Sequence, residues 1–223
     1  MKSLGQIIEE NGSDKGRQCH NYVAVYECLF RHLRHRPLAL LELGVSFGQS
    51  IRSWLEYFEC ARVVGVDVDL ALSAATLSGS EDRLQLYEGK AQDPNLVPPQ
   101  PFDIIIDDGD HVPETQIETL RSHWGNLTDG GFYIIEDLFV GAFPWGGRGS
   151  KRTFSLRLPY RGYYGAPLFK FLPHQAQDIA FVNRQDLPAD ICQILDENDH
   201  FFPISNVSRG GGLHMMMVIC KRG

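Results

Sequence analysis

The 223-residue chain has no apolar run approaching the ~20 residues that a membrane-spanning helix needs. Residues 1–16 also lack the basic end and the following apolar run of a signal peptide. These absences predict a cytoplasmic protein without a membrane partner. With 43% hydrophobic and 22% charged residues, the composition is ordinary for a globular protein that can build a complete core, and one domain over residues 1–223 is expected.

Paired cysteines and an excess of basic residues are also missing. The five cysteines are scattered, odd in number and form no CxxC pair, so the sequence indicates neither a zinc site nor a disulfide framework. The net charge of -7 argues against a large phosphate-binding face. We therefore expect reduced thiols and no nucleic-acid partner.

Short apolar runs alternate with helical patterns along the first two thirds of the chain. Residues 22–36 carry apolar side chains at helical spacing and end before Pro37, and the buried strand LALLEL follows. Alternation of this kind predicts an α/β fold, a mostly parallel sheet covered by helices. A glycine-rich turn near the end predicts an added antiparallel hairpin. The further predicted parallel strands are residues 62–66, 84–88, 102–106 and 132–136.

Two segments fall outside this alternation. Residues 1–36 are predicted to form a helical cap before the first strand. Residues 138–177 are rich in aromatic side chains and glycines without regular patterning, and such long loops are usually functional. We expect this second segment to be a substrate lid whose rings stack on the bound molecule.

Acidic side chains follow two of the predicted strands. DIIIDDGDH ends the strand at 102–106, and YIIED ends the strand at 132–136. Because the carboxyl ends of neighbouring parallel strands share one edge of a sheet, these side chains are expected to converge, and converging acids suggest a hard cation. The residues concerned are Asp107, Asp108, His111, Glu136 and Asp137.

The first strand leads into LLELGVSFGQS, which places Glu42 at its end and Gly44 in the turn, where the backbone can approach a ligand closely. Asp67 ends the second strand, a position from which a carboxylate binds ribose hydroxyls. The turn lacks GxGxxG and has an acid where a pyrophosphate would bind, which disfavours an NAD-dependent dehydrogenase. An adenosine-bearing, cationic cofactor fits better.

Together, ELGVSFGQS, VVGVDVD, IIIDDGDH and YIIED resemble class I S-adenosylmethionine-dependent methyltransferases, and more closely the magnesium-dependent macrolide and tetracenomycin sugar O-methyltransferases. GSDKG followed by HNY at 12–22 is similar to the segment that precedes the core in that family. The resemblance implies a three-layer, Rossmann-like class I fold, S-adenosylmethionine and Mg²⁺ as cofactors, a small hydroxylated substrate and a homo-oligomer. The implied cofactor-binding residues are Lys15, Tyr22, Glu42, Gly44, Ser50, Asp67, Gln92 and Asp107.

The same resemblance assigns the chemistry to the acidic edge, with Asp108, Glu136 and Asp137 as metal ligands and His111 as the general base. Carboxylates are ligands that Mg²⁺ prefers, and the cation would stabilise a developing alkoxide. Imidazole titrates near neutral pH, which suits proton removal from a hydroxyl. One departure from the family pattern is Asp110, where the family commonly has serine.

The sequence therefore predicts an S-adenosylmethionine- and Mg²⁺-dependent O-methyltransferase of natural product biosynthesis, acting on a hydroxyl of a glycosyl unit. Two alternatives stay open at this point. A catechol-type O-methyltransferase would use the same metal acids on a phenol, whose lower pKa of ~10 demands less help. A non-catalytic nucleotide-binding module would keep the fold without turnover.

Overall fold

The computed structural model describes residues 1–80, 82–138, 187–201, 204–207 and 213–223. The described helices are α1 (Leu4–Asn11), α2 (Val23–Phe30), α3 (Gln49–Tyr57), α4 (Ala74–Leu77), α5 (Pro113–His123) and α6 (Ala189–Glu197). The described strands are β1 (Leu38–Leu43), β2 (Ala61–Asp67), β3 (Leu84–Glu88), β4 (Phe102–Asp107), β5 (Leu127–Ile135), β6 (Asp199–Phe201), β7 (Ile204–Val207), β8 (Leu213–Met215) and β9 (Met217–Cys220).

Seven of these strands form one sheet in the order β3-β2-β1-β4-β5-β9-β6. Strands β1 to β5 pair in parallel, and β9 pairs antiparallel with both of its neighbours. The strand order reverses between β1 and β4, and ligands of open α/β sheets bind beyond the carboxyl ends of the strands at such a point. The loops that follow β1 and β4 are therefore the expected place for a ligand.

Two apolar layers cover the sheet because side chains alternate along each strand. Leu40 of β1 and Ile106 of β4 pack on the face covered by α1, α2 and α3. Leu41 and Ile105 pack on the opposite face, with α5 and α6. This alternation decides which acidic side chains at the strand ends can meet.

The predicted α/β fold is confirmed, with differences at the helix ends and near the C-terminus. The helix predicted over 22–36 continues after Phe30 only as a 3₁₀ turn, Arg31–Leu33. The predicted hairpin consists of β7 and β8, which pair antiparallel in a separate two-stranded sheet, and β9 is the strand that joins the main sheet. Within the described ranges, none of the helices has the length and apolar character needed to cross a bilayer.

The lid prediction over 138–177 lies outside the described residues except for Leu138, which is buried against the layer that contains α5. The predicted N-terminal cap contains α1 and α2, which pack through Leu4, Ile7 and Tyr26 into the layer that contains α3. A capping box at Ser3 and Gln6 fixes the start of α1. The cap is thereby joined to the first strand-turn-helix unit.

Candidate active site

The turn after β1 is tightly built against the loop after β4. Gly44 has φ +100°, and a Cβ added there would lie 2.0 Å from the carbonyl oxygen of Asp108. Only glycine fits this close approach without moving the backbone. Gly44 was predicted to let the backbone approach a ligand, whereas the group that it approaches here is the backbone of the loop after β4, so the turn connects the candidate cofactor region with the acidic edge.

Asp67 anchors the same turn. Its Oδ2 accepts the amide hydrogens of Val45 and Ser46, each at 2.8 Å, and its Oδ1 accepts the amide of Asp69 at 3.0 Å. Ser46 has φ +48°, a conformation uncommon for a residue with a side chain. The carboxylate predicted to bind ribose therefore also fixes the turn on which a cofactor would lie.

Glu42 lies beneath this turn and is fully buried. Its Oε2 accepts the indole N–H of Trp54 at 3.1 Å, and its Oε1 is 3.7 Å from Nζ of Lys15. Burial raises the pKa of Glu42 to about 7, although the charge of Lys15 opposes the shift. Ser50, on the first turn of α3, is also buried and contributes a hydrogen bond to this carboxyl.

Asp107 and Asp108 diverge although they are adjacent. Asp107 is the last residue of β4, two positions beyond Ile105, so its side chain lies on the face covered by α5. Its Oδ1 accepts the amide of Gly109 at 3.4 Å, and its Oδ2 has no hydrogen-bond partner among the described residues. Burial raises the pKa of Asp107. The structure thus does not bring Asp107 into the acidic cluster formed by its neighbours.

Asp108, His111 and Asp137 do converge. One ligand atom from each lies within 4.8 Å of the others. His111 and Asp137 have φ +57° and +49°, and strained backbone of this kind often accompanies function. Nδ1 of His111 is buried without a hydrogen-bond partner in the described part of the chain. The two carboxylates offer oxygen ligands of the kind that a hard divalent cation prefers, and the imidazole lies beside them.

Glu136, the third predicted metal ligand, is fully buried and is not one of these three converging residues. Its Oε1 accepts the hydroxyl of Tyr26, and its Oε2 accepts Nζ of Lys15 at 3.0 Å. Burial, together with the charges of Asp108 and Asp137, raises the pKa of Glu136. The backbone carbonyl of Glu136 accepts a hydrogen bond from Gln116 at 3.1 Å, which ties the end of β5 to α5.

Lys15 is 1% exposed and lies among acids. Its Nζ is 2.5 Å from Oδ2 of Asp108, in addition to its contacts with Glu136 and Glu42. Burial alone would lower the pKa of Lys15, but the charges of these three carboxylates raise it, so the side chain is an ammonium. Lys15 was predicted to bind the cofactor, and its described contacts are with the acidic edge.

Tyr22, also predicted to bind the cofactor, contacts the acidic edge as well. Its hydroxyl donates to Oδ1 of Asp137 at 2.5 Å, and Nδ1 of His20 is 3.2 Å from Oδ2 of the same carboxyl. Burial and the charge of Asp137 raise the pKa of Tyr22. The contacts of Tyr26 and His20 were missed by the sequence reasoning. The sequence signal for Tyr26 was its position one helical turn after Tyr22, which puts both side chains on one face of α2. The two consecutive acids that this face meets are Glu136 and Asp137.

Gln92 lies in the loop after β3. Its backbone carbonyl accepts a hydrogen bond from the hydroxyl of Ser122 at 2.8 Å, which anchors the loop to α5. Nearby, Nε2 of His123 is 2.7 Å from the carbonyl oxygen of Ala91. These contacts fix the loop that carries Gln92, which was predicted to bind the cofactor.

The sequence is similar to those of several curated O-methyltransferases. The chain is 34% identical over 163 residues to a tetracenomycin rhamnosyl 3'-O-methyltransferase of Streptomyces olivaceus, a match that covers 67% of this chain and 40% of that protein. A demethylmacrocin O-methyltransferase of Streptomyces fradiae is 27% identical over 153 residues, covering 63% and 38%. The chain is similar to these O-methyltransferases over about two thirds of its own length. No protein-family model matches it.

Two solved structures share the fold of this chain. The MycE methyltransferase of the mycinamycin pathway, solved with Mg and SAH, has a TM-score of 0.64 at 20% identity and covers 99% of this chain and 55% of that one. A cofactor-bound Mycobacterium tuberculosis protein, Rv0187, has a TM-score of 0.57 at 15% identity and covers 99% and 90%. The chain therefore shares the fold of these two structures, and it matches about two fifths of the length of its curated relatives.

Proposed function

We propose that the protein is an S-adenosylmethionine- and Mg²⁺-dependent O-methyltransferase that acts on a hydroxyl of a glycosyl unit in a small natural product. The observation that carries this proposal is the convergence of Asp108, His111 and Asp137 within 4.8 Å, beside the Gly44 turn. The names of the related enzymes, which methylate sugar hydroxyls of tetracenomycin and macrolide compounds, support the substrate class.

The donor chemistry of the acidic edge fits Mg²⁺, since carboxylate oxygens with an incomplete set of protein ligands are typical of its sites. Asp108, Glu136 and Asp137 would hold the cation, with Tyr22 and Tyr26 orienting two of these carboxylates. When bound, Mg²⁺ lowers the energy of a developing alkoxide as a Lewis acid. Hydrogen bonds to ligating carboxylates fix their orientation and are a regular part of metal sites.

The turn after β1 would support an adenosine-bearing cofactor because Gly44 lets it pack against the loop after β4 and Asp67 holds its amides in place. S-adenosylmethionine supplies a methyl group already activated by its sulfonium. Among the other predicted cofactor residues, Glu42 and Ser50, both buried, would lie around the methionine part, Asp107 would lie at the rim beside the sulfonium, and Gln92 would lie near the adenine. Lys15 and Tyr22 would close the pocket only indirectly, through the acids that they bind.

His111 is the proposed general base. An imidazole nitrogen would take the proton of the acceptor hydroxyl. The oxygen of that hydroxyl would form a bond to the methyl carbon as the bond between this carbon and the sulfur breaks. The positive φ of His111 and its buried Nδ1, which has no hydrogen-bond partner among the residues that the structure describes, support a side chain held for a ligand. In-line transfer needs mainly positioning, which the rigid strand-end loops provide.

We also propose that residues 1–223 act as one methyltransferase domain, that 138–177 closes over the acceptor, and that the protein forms a homo-oligomer, as the resemblance implies.

The experiment for the central proposal is transfer of labelled methyl from S-adenosylmethionine to a panel of rhamnosylated and macrolide glycosides, with Mg²⁺ or with EDTA. Methylation that EDTA abolishes and Mg²⁺ restores is the expected result. Transfer to a catechol alone, or transfer unaffected by EDTA, would overturn the proposal.

A further inference from the structure

The segment from Lys15 to Tyr26 surrounds the acidic edge from one side. It supplies an ammonium to Asp108 and Glu136, and hydroxyls to Glu136 and Asp137. These contacts cross more than 90 residues of sequence, as the Lys15–Asp108 pair illustrates. A segment outside the sheet is therefore bonded to the acids at the ends of two central strands.

The charges in this region do not balance without Lys15. Glu42, Asp108 and Glu136 all have an oxygen within 3.7 Å of its Nζ, and two of these side chains are fully buried. Asp137 adds a fourth carboxyl next to them. Like charges at such distances repel strongly in a poorly solvated site. Lys15 is the buried cation among the described residues that contacts three of the four.

We infer that Lys15 is a positioning residue: its fixed positive charge keeps Asp108 and Glu136 assembled before a divalent cation binds, and it limits how strongly the edge attracts that cation. The inference rests on the proposed function for the identity of the cation, Mg²⁺. Lys15 contacts neither the acceptor nor the reacting atoms in this account, and it acts through the carboxylates that it bonds.

Removing the charge has two opposite consequences. In the absence of a metal ion, the three carboxyls that contact Lys15 lose the positive charge beside them, so the folded protein is less stable. With a divalent cation, the edge carries one more negative charge, so the cation replaces what the lysine supplied and binds more tightly. A lysine that served only to pack the N-terminal segment would change stability by the same amount with or without metal.

The test compares Lys15→Met with Lys2→Met in the full chain. Lys2 also pairs with two glutamates, Glu10 and Glu56, but it is 48% exposed and these ion pairs involve none of the acids at the strand ends. Thermal melting in EDTA and with Mg²⁺ gives the stability, and Mn²⁺ titration followed by electron paramagnetic resonance gives the Kd. For Lys15→Met we expect a lower Tm in EDTA, a larger rise with Mg²⁺ than in the wild type, and a Kd for Mn²⁺ smaller by roughly tenfold.

A second variant keeps the test valid if Lys15→Met fails to fold. Lys15→Met combined with Glu42→Gln removes the ammonium together with one of the buried carboxyls that contact it, and the glutamine amide oxygen can still accept the indole hydrogen of Trp54. This double variant should fold, and its Kd for Mn²⁺ should stay below that of the wild type. Lys15→Arg, which keeps the charge, should retain the wild-type Kd.

The outcomes separate the two proposals. Equal loss of Tm in EDTA and in Mg²⁺, together with an unchanged Kd for Mn²⁺, would overturn the role of Lys15 and leave the methyltransferase proposal intact. Failure of the wild-type protein to bind Mn²⁺ at all would instead contradict the metal site on which both proposals depend. A Kd in the double variant equal to that of the wild type would also overturn the role of Lys15.

Discussion

The Tyr22 hydroxyl donates a hydrogen bond of 2.5 Å to Oδ1 of Asp137, and so joins the start of α2 to the end of β5 across 115 residues. One helical turn later, the hydroxyl of Tyr26 bonds Glu136. Two consecutive acids are thus oriented by two tyrosines on one face of a helix. In metal proteins, such supporting hydrogen bonds determine how well the ligands are placed.

Tyr22→Phe removes this hydroxyl and leaves the aromatic packing in place. Because Asp137 then lacks one of its orienting partners, the Kd for Mn²⁺ should rise about tenfold, a typical effect of losing such a partner. Affinity for S-adenosylhomocysteine should change little. The control is Tyr57→Phe, a buried tyrosine on α3 whose ring contacts Arg34. Equal Mn²⁺ affinity in the two variants would show that the hydroxyl does not support the site.

His111→Ala tests the proposed base. Loss of a general base typically costs about a hundredfold or more in rate, so kcat should fall by at least that much. S-adenosylhomocysteine affinity, measured by calorimetry, should stay within about twofold, since His111 lies on the acceptor side in this account. His35→Ala, an exposed histidine paired with Glu59, serves as the control. A His111→Ala enzyme with wild-type kcat on an identified acceptor would refute the assignment.

Gly44→Ala tests the close contact between the two loops. The new Cβ would lie 2.0 Å from the carbonyl of Asp108, and φ at this position is +100°, so the backbone must move. We expect a destabilisation of several kcal/mol, measured by urea unfolding, and loss of S-adenosylhomocysteine binding. Gly125→Ala, which has open space around its Cβ, should be close to neutral. Comparable stabilities of the two variants would contradict the geometry.

Stability should depend on pH through Glu42. Burial raises the pKa of Glu42 from 4.5 to about 7 in the folded protein, so this group favours folding fully below pH 4.5. As the pH rises from 4.5 to 7, Glu42 ionises in the unfolded chain before it ionises in the folded protein. The free energy of unfolding therefore falls, by roughly 3 kcal/mol at most. Glu42→Gln has no such group, so its loss between pH 5 and pH 8 should be smaller.

Urea unfolding in EDTA at both pH values measures this difference. The exposed Glu9→Gln variant should follow the wild type. If Glu42→Gln and the wild type lose the same free energy of unfolding over this range, the buried carboxyl does not titrate as stated.

Much of the fold could be predicted because local patterns determine it. The run LALLEL coincides with β1, and LQLYE coincides with β3, since buried apolar runs between turns have few other solutions. The end of α2 was placed too late because Arg31–Leu33 keep the helical pattern while forming only a 3₁₀ turn.

The site was less predictable. Asp107 and Asp108 were expected to converge, but alternation along β4 sends Asp107 to the face covered by α5. The contacts of Lys15 and Tyr26 with Glu136 depend on how α2 packs against the strand ends, which the sequence of either segment alone does not determine. Glu42 was assigned to the cofactor from its position, whereas its burial beneath the turn follows from the contact with Trp54.

Calorimetry with S-adenosylhomocysteine, S-adenosylmethionine and NAD, each with and without Mg²⁺, tests the central claim most directly because it requires no knowledge of the acceptor. The account predicts micromolar binding of the first two ligands, no binding of NAD, and a separate heat for Mg²⁺ that is lost in Asp108→Ala. Absence of binding for both S-adenosyl ligands, or binding of NAD in their place, would contradict the assignment as a methyltransferase and leave only the fold.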